Sequence, residues 1–183
     1  MSDEQEAADG NAIGLRVTGQ SLASCDFSRQ ELRHADFSFS DLRHARFIGA
    51  DLLDSKFVGA MLQLANFRGA RLKRVNFHKS MLQGCNLRKS LLRYARFDGA
   101  LLNDAKLEGA NLQDANLEGA DLQRASLQGA NLSGANLAVA DLRGAVYNSK
   151  TVWPENYEPL ENGAIPKEWL PSDPVFEQDD SKD

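Results

Sequence analysis

Residues 110–124 read ANLQD ANLEG ADLQR, which is three consecutive five-residue units with alanine first, an amide or acid second and leucine third. The same period extends in both directions along the chain. Every residue whose number ends in 2 or 7, from Val17 to Tyr147, is Val, Leu, Phe or Tyr, and these 27 positions contain no exception. A short sequence period of this kind decides the architecture of a protein. One repeated unit therefore builds most of the chain.

Two of every five residues are predicted to face inward. The positions that end in 0 or 5, from Leu15 to Ala145, are alanine in 17 of 27 cases. The other three positions are mostly polar or glycine, and a period of five fits neither an α-helix nor a long strand. Because glycine tolerates the positive φ of a tight turn, glycines at one fixed position predict a turn in each unit. These glycines are Gly49, Gly59, Gly69, Gly84, Gly99, Gly109, Gly119, Gly129, Gly134 and Gly144.

The units at 110–114 and 120–124 match the motif A(D/N)LXX as written. Over residues 15–149, about three quarters of the chain, the sequence resembles the pentapeptide-repeat family. The resemblance implies an all-β fold, a right-handed, four-sided parallel β-helix with four pentapeptides per coil. Residues n and n+20 would then stack in adjacent coils. At the usual strand spacing of ~4.8 Å, 27 repeats make about 6.75 coils and a rod roughly 32 Å long.

Stacking by twenty predicts the environment of the phenylalanines and the cysteines. Phe27, Phe47 and Phe67 should form one buried column of stacked rings, which indicates a core and not a cofactor site. Cys25 and Cys85 are 60 residues apart, so three coils or about 14 Å should separate them. Because a disulfide needs Cα atoms within about 7 Å, we expect two free, buried thiols.

The two ends of the chain differ from the repeats. Residues 1–14 and 172–183 are acidic and poor in apolar residues, and we expect both to be disordered tails. Residues 150–171, which contain WPENY and GAIP, look like the closing segment of many cyanobacterial family members. We expect that segment to cap the last coil, since an open β-helix end exposes unpaired strand edges. The covering residues would be Trp153, Tyr157, Ile165, Trp169 and Leu170. An end-to-end dimer through this end is the alternative to a monomer.

The whole chain has a net charge of −5, but residues 20–149 carry 17 Lys and Arg against 13 acids. Ser55 to Phe97 contains ten bases and no acid, and we call this segment the basic belt. Asp98 to Asp121 contains six acids and a single base, and it forms an acidic belt. No segment is apolar enough to span a membrane, and the first ten residues are unlike a signal peptide. The sequence therefore predicts a cytoplasmic protein with no membrane contact.

One predicted side of the rod carries an uncharged strip. Stacking by twenty places Met61, Met81 and Leu101 in one outward column, with Asp41 and Asp121 at its two ends. An apolar strip bordered by charge often marks a contact surface, although methionines can also simply stack on one another. The predicted partner-binding residues are Met61, Leu64, Met81 and Leu101, with Arg71, Arg74 and Arg93 providing electrostatic steering.

Catalysis is not expected from this sequence. His34 and His44 are ten residues apart and so lie on opposite sides of the rod, while His78 lies on a third side. We find no metal-ligand spacing, no phosphate-binding glycine loop and no serine-nucleophile motif. The sequence therefore predicts no enzyme, no metal and no cofactor.

The leading function is a protein-binding scaffold or regulatory adaptor with an unidentified protein partner. The resemblance implies a second class, since some pentapeptide-repeat proteins protect DNA gyrase from quinolones by mimicking DNA. Mimicry requires an acidic rod, whereas this one is basic in its middle, and the strict repeats leave no inserted loop. A third class is nucleic-acid binding through the basic belt, and the acidic belt and tails weigh against it.

Overall fold

The computed structural model describes residues 14–170, so the predicted tails lie outside the described residues, apart from Gly14. Each pentapeptide is a short extended piece that ends in a tight turn. Residues whose numbers end in 4 or 9, from Gly14 to Gly144, all have positive φ, between 50° and 76°. The turn closes with a hydrogen bond such as that from the Ala35 N–H to the Leu32 carbonyl, at 3.2 Å. The predicted turn in every unit is confirmed.

The coils repeat every twenty residues. Parallel bridges join residues twenty apart, from Arg16 with Asp36 to Ser126 with Val146. Each extended piece is so short that the pairing involves one bridge residue per unit, and only two longer strands occur in the described part. These are β1, Val146–Tyr147, and β2, Ile165–Pro166, which pair in parallel. The spacing of twenty means that four pentapeptides complete one coil.

Four faces follow from this pairing. Face 1 contains residues 30–34, face 2 residues 35–39, face 3 residues 40–44 and face 4 residues 45–49. Every residue twenty positions before or after lies on the same face. Because four units complete a coil, faces 1 and 3 are opposite, as are faces 2 and 4.

The core is one continuous stack of the central residues of the repeats. The Phe47 and Phe67 rings stack at 4.8 Å with an interplanar angle of 3°, and Phe57 meets Phe67 edge to face at 5.7 Å. The predicted column of stacked rings is confirmed. Each fully buried Leu or Phe contributes roughly 1.5–3 kcal/mol, so the core holds the rod together without any long strand. Buried Ser55 satisfies its hydroxyl by donating to the Leu52 carbonyl at 2.8 Å.

Both cysteines are free, as predicted. Cys85 is fully buried, and burial raises the pKa of its thiol. Cys25 is only partly buried, so the expectation that both thiols are buried is wrong for this residue. The reason is its position in the first coils, where Val17 and Leu22 are also only partly buried.

The twenty-residue register ends after Tyr147. Asn131 pairs with Val152, 21 residues later, and Val146 pairs with Ile165, 19 residues later. The segment between them packs onto the core through Trp153, which stacks on Tyr157 at 5.4 Å and meets the Tyr147 ring edge-on at 5.5 Å.

Trp169 does not cover the last coil. It belongs to a single 3₁₀ turn, Lys167–Trp169, that contains no buried residue, and 68% of its surface is exposed. Strand pairing ends at Pro166, so this turn lies beyond the paired edge. The expected covering role of Trp169 is wrong. Within residues 14–170, no helix has the length and apolar character needed to cross a membrane.

Candidate functional site

The predicted apolar strip lies on face 3. Met61 bridges Met81, and Met81 bridges Leu101 on the next coil, while Asp41 and Asp121 bridge the two ends of the column. Met81 is 39% exposed and Leu101 38%, whereas Met61 is partly exposed. The structure therefore brings the three apolar residues together in one column, as the twenty-residue spacing predicted.

Leu64 widens this strip. It is 57% exposed and adopts a φ of 61° at the turn position. A Cβ added to Gly84, the next residue in the same column, would lie only 2.8 Å from Leu64 Cδ2. The leucine side chain therefore covers Gly84 and extends over the next coil. We call Met61, Leu64, Met81 and Leu101 the apolar strip.

The three predicted steering arginines lie elsewhere. Arg71, Arg74 and Arg93 are on face 1, on the opposite side of the rod from the apolar strip. One flat partner surface cannot contact both groups at once. The residues that the sequence analysis combined into one site therefore form two separate groups.

Many charges of the basic belt are paired between coils. Arg74 donates to both oxygens of Asp54 at 2.6 and 2.5 Å, and Arg88 donates to Glu108 at 2.5 Å. The hydrogen bonds from Arg74 lower the pKa of Asp54. Five belt arginines in all have a carboxylate within 4.0 Å, namely Arg71, Arg74, Arg88, Arg93 and Arg96. Half of the ten bases of the basic belt are therefore paired, three of them with acids of the acidic belt, and the contacts of Arg71 and Arg93 are the loosest, at 3.7 and 3.8 Å.

The net positive charge of the rod is concentrated on one face. Within residues 20–149, face 4 holds six of the 17 bases and two of the 13 acids. The other three faces together hold eleven bases and eleven acids, so their charges balance. A count of charges along the sequence does not reveal this asymmetry, because the residues of one face recur only every twenty positions. The face 4 bases are Arg29, Arg46, Arg68, Arg88, Lys89 and Lys106.

Face 1 carries a groove of about 300 Å³ that the sequence analysis also missed. The sequence feature that could have indicated it is Leu91, an outward leucine in a column where the next two coils have Asn111 and Asn131. The groove is lined by Asp51, Leu53, Arg71, Lys73, Leu91, Arg93 and Asn111.

The histidines do not converge on a reactive centre. His78 Nδ1 is hydrogen-bonded to Asp98 on the next coil, and His34 Nδ1 lies 4.0 Å from Asp54. Among residues 14–170, no group of three or more His, Cys, Asp or Glu side chains is placed to hold a metal ion. These histidines form pairs between coils, like the arginines.

Two family descriptions match the repeats. The family model described as "Pentapeptide repeats" matches residues 110–146 with eight copies, and the model described as "Pentapeptide repeat region" matches residues 20–97. The chain belongs to the pentapeptide-repeat family. Members of this family form right-handed quadrilateral β-helices, which agrees with the four-unit coil described above.

Several solved structures are similar to the chain. A trypsin-treated form of QnrB1, a plasmid-mediated fluoroquinolone resistance protein, is 21% identical, with coverage of 81% of this chain and 87% of that one and a TM-score of 0.53. The pentapeptide-repeat protein alr5209 from Nostoc PCC 7120 is 34% identical, with 56% and 84% coverage and a TM-score of 0.41. HetL, a protein involved in heterocyst differentiation regulation from the cyanobacterium Nostoc sp. strain PCC 7120, is 24% identical, with 84% and 96% coverage and a TM-score of 0.32. No curated protein matches the chain significantly.

Proposed function

We propose that this protein is a non-catalytic scaffold that binds a partner protein through the apolar strip on face 3. We also propose that the rod is a right-handed solenoid of about 6.75 coils. One observation carries the proposal. Leu64, Met81 and Leu101 are exposed side by side on consecutive coils, and units 60–64 and 80–84 contain no charged residue.

The exposure of Leu64 supports this strip as a contact surface. The positive φ of Leu64 is shared by every turn position of the repeats, so it belongs to the fold and not to the site. The leucine side chain is 57% exposed and lies over Gly84 on the next coil, so it adds apolar surface directly beside Met81. A partner that covers Leu64 would remove this apolar surface from water.

The surroundings of the strip indicate the chemistry of its partner. A rigid solenoid face loses little conformational entropy on binding, so a folded partner with an apolar ridge suits it. Asp41 and Asp121 lie at the ends of the Met61 column. Asp41 is already paired with Arg43 at 2.6 Å, but no base of the described residues lies within 4.0 Å of Asp121. We therefore expect a basic group beside the partner ridge, near Asp121.

A pull-down with matched variants tests this proposal. The wild-type rod should capture one partner in stoichiometric amounts from a native lysate. The Met61→Lys/Met81→Lys variant should lose at least nine tenths of that partner. Asn66→Lys/Asn86→Lys is the control, because it places the same charges on the same coils at the equivalent positions of face 4. Thermal melts establish that both variants are folded. Retention of the partner by the folded face 3 variant, or no stoichiometric partner at all, contradicts the proposal.

Modulation of DNA gyrase is the second candidate function. The observation that favours it is the similarity in fold to QnrB1, a fluoroquinolone resistance protein, over 87% of that chain. The charge distribution weighs against DNA mimicry, since the face with the largest net charge within residues 20–149 is face 4, and that charge is positive. A supercoiling assay of gyrase with and without a quinolone separates the two candidates. A change in either activity favours gyrase, and no change removes this candidate.

Nucleic-acid binding is the third candidate, and the six bases of face 4 are its best support. Phosphate contacts of this kind weaken steeply as salt increases. A salt-sensitive electrophoretic shift with DNA or RNA at about 0.1 M salt would favour this function. The absence of binding even at low salt would eliminate it.

A further inference from the structure

The groove on face 1 runs along the axis of the rod between two columns of side chains. Asp51, Arg71, Leu91 and Asn111 lie on consecutive coils in one column, and Leu53, Lys73 and Arg93 lie in the other. Four coils contribute, so the groove is about 14 Å long at ~4.8 Å per coil. It lies on the opposite side of the rod from the apolar strip.

The groove has an excess of positive charge. Its one acid, Asp51, accepts two hydrogen bonds from Arg33, at 3.0 Å from Nε and 2.8 Å from Nη2. Arg33 therefore offsets the charge of Asp51, which is only 8% exposed. Arg71 is 3.7 Å from Asp51, and no described carboxylate lies within 4.0 Å of Lys73. These cations have charge available for a ligand.

Arg93 is held in position at one wall of the groove. Its guanidinium lies over the Tyr94 ring, 5.2 Å from the ring centre, and donates to the Tyr94 hydroxyl at 3.2 Å. Its nearest carboxylate, Asp114, is 3.8 Å away. Since an arginine fixed by an aromatic neighbour loses less entropy on binding, Arg93 is suited to bind an incoming carboxylate.

Two leucines provide an apolar surface beside these cations. Leu91 is 49% exposed, and Leu53 is half-buried in the neighbouring column of the same face. Together with Arg71, Lys73 and Arg93 they form a surface that is both apolar and cationic. A ligand that matches it needs an apolar group next to an acidic group.

The shape of the groove selects among such ligands. Small molecules are usually bound in pockets of about 300–1,000 Å³ that enclose most of their surface. This groove of about 300 Å³ lies on one outer face of the rod, at the lower limit of that range. A nucleic acid would match the cations but would gain nothing from the two leucines. In an extended peptide, alternate side chains point the same way at about 6.6 Å intervals, so two or three of them fit along 14 Å. An acidic peptide with an apolar side chain matches both the length and the chemistry.

We propose that the face 1 groove binds an extended acidic peptide segment of a partner protein. An Asp or Glu side chain of the segment lies between Arg71, Lys73 and Arg93, and its neighbour on the same side, an apolar residue, covers Leu91. This site is independent of the apolar strip on face 3. The rod then has two opposite protein-binding faces and can hold two partners apart.

Fluorescence anisotropy with a labelled peptide of sequence Gly-Asp-Ser-Phe-Ser-Glu-Gly tests the groove. This peptide presents two acids and one aromatic ring on the same side. At about 0.1 M salt, the full chain should bind it at least tenfold more tightly than a Phe→Ser peptide or an Asp→Asn/Glu→Gln peptide. A single-stranded oligonucleotide should bind more weakly than the first peptide.

Variants locate the binding. Leu91→Asn/Arg93→Gln should weaken it at least tenfold, and it should fold, because the same columns already carry Asn111 and Gln113. Arg68→Gln on face 4 also removes one positive charge and is the matched control, which should bind like the wild type. Tighter binding of the oligonucleotide, equal binding of all three peptides, no binding of the first peptide, or wild-type binding by the groove variant overturns the proposal. Met61→Lys/Met81→Lys should leave peptide binding unchanged. The proposal for face 3 and the proposal for face 1 can therefore be disproved independently of each other.

Discussion

The Arg124 guanidinium donates hydrogen bonds to both carboxylate oxygens of Asp104, twenty residues earlier on the adjacent coil, at 2.8 and 2.7 Å. Arg74 makes the same contact with Asp54. A separation of twenty residues in sequence is therefore a direct contact in space. Charges that form separate basic and acidic segments along the sequence are therefore partly paired between adjacent coils.

Acid should weaken the fold through carboxylates that arginines hold ionised. Hydrogen bonds from Arg143 lower the pKa of Asp141 from its ordinary value of 3.8 to about 2, and Arg43 does the same for Asp41. Because the pKa is lower in the folded state, this stabilisation is present above about pH 4 and is lost as pH falls towards 2. The Asp141→Asn variant should melt below the wild type at pH 6 and converge with it at pH 2. If the difference between the two melting temperatures is the same at pH 6 and at pH 2, the linkage is disproved.

The phenylalanine column should tolerate leucine but not alanine. Phe67 stacks on Phe47, whereas the next coil has Leu87 in the same column. Phe67→Ala should lower the free energy of unfolding by about 3–5 kcal/mol, because it leaves a cavity. Phe67→Leu should cost about 1–2 kcal/mol, mainly from lost ring contacts. Urea denaturation measures both values, and equal costs would show that the rings do not pack as described.

Two glycine-to-alanine changes should differ in severity. Gly69 and Gly163 have φ of 68° and 82°, but a Cβ at Gly69 meets open space, whereas one at Gly163 lies 3.2 Å from the Arg143 Cα. Gly69→Ala should cost about 1–2 kcal/mol of strain. Gly163→Ala should also push the closing segment away from the last coil.

Tryptophan fluorescence reports this difference, since both tryptophans lie after the repeats. In Gly163→Ala the fluorescence transition in urea should precede the loss of circular dichroism. In Gly69→Ala the two transitions should coincide. Coincident transitions in both variants would show that the closing segment does not depend on close packing at Gly163.

The two thiols should react at different rates. Burial removes Cys85 from solvent and raises its pKa, whereas Cys25 is partly exposed near the first coil. A disulfide-exchange reagent should modify one thiol of the native protein and two after denaturation. Cys25→Ala should abolish the reaction of the native protein, while Cys85→Ala should leave it unchanged. Two reactive thiols in the native state would mean that the core around Cys85 opens readily.

Much of the fold could be predicted because every unit must place the same kinds of small and apolar side chains in the core. The period of five predicted a turn at every fifth residue, and the family resemblance supplied the coil of four units. The Phe47–Phe67 stack and the unpaired cysteines followed from that coil. The exposed position of Trp169 could not be predicted, because it depends on where pairing ends at Pro166.

The candidate site was only partly predictable. The column of Met61, Met81 and Leu101 needed nothing beyond the twenty-residue spacing. Arg71 was combined with the same site because its charge was counted along the chain, although ten residues separate opposite faces. The groove beside Leu91 depends on side-chain directions in two facing columns, and no periodicity in the sequence specifies those directions.

Methionine oxidation tests whether a partner protein is bound on face 3. Two of the three methionines of the chain, Met61 and Met81, lie in the apolar strip. Hydrogen peroxide is added to the free protein and to its complex with the captured partner, together with a short methionine peptide as a reference, and mass spectrometry follows each sulfoxide. The partner should slow oxidation of Met81 at least fivefold and leave the oxidation rate of the reference peptide unchanged. Oxidation of Met81 at the same rate in the complex as in the free protein would show that the partner does not cover face 3.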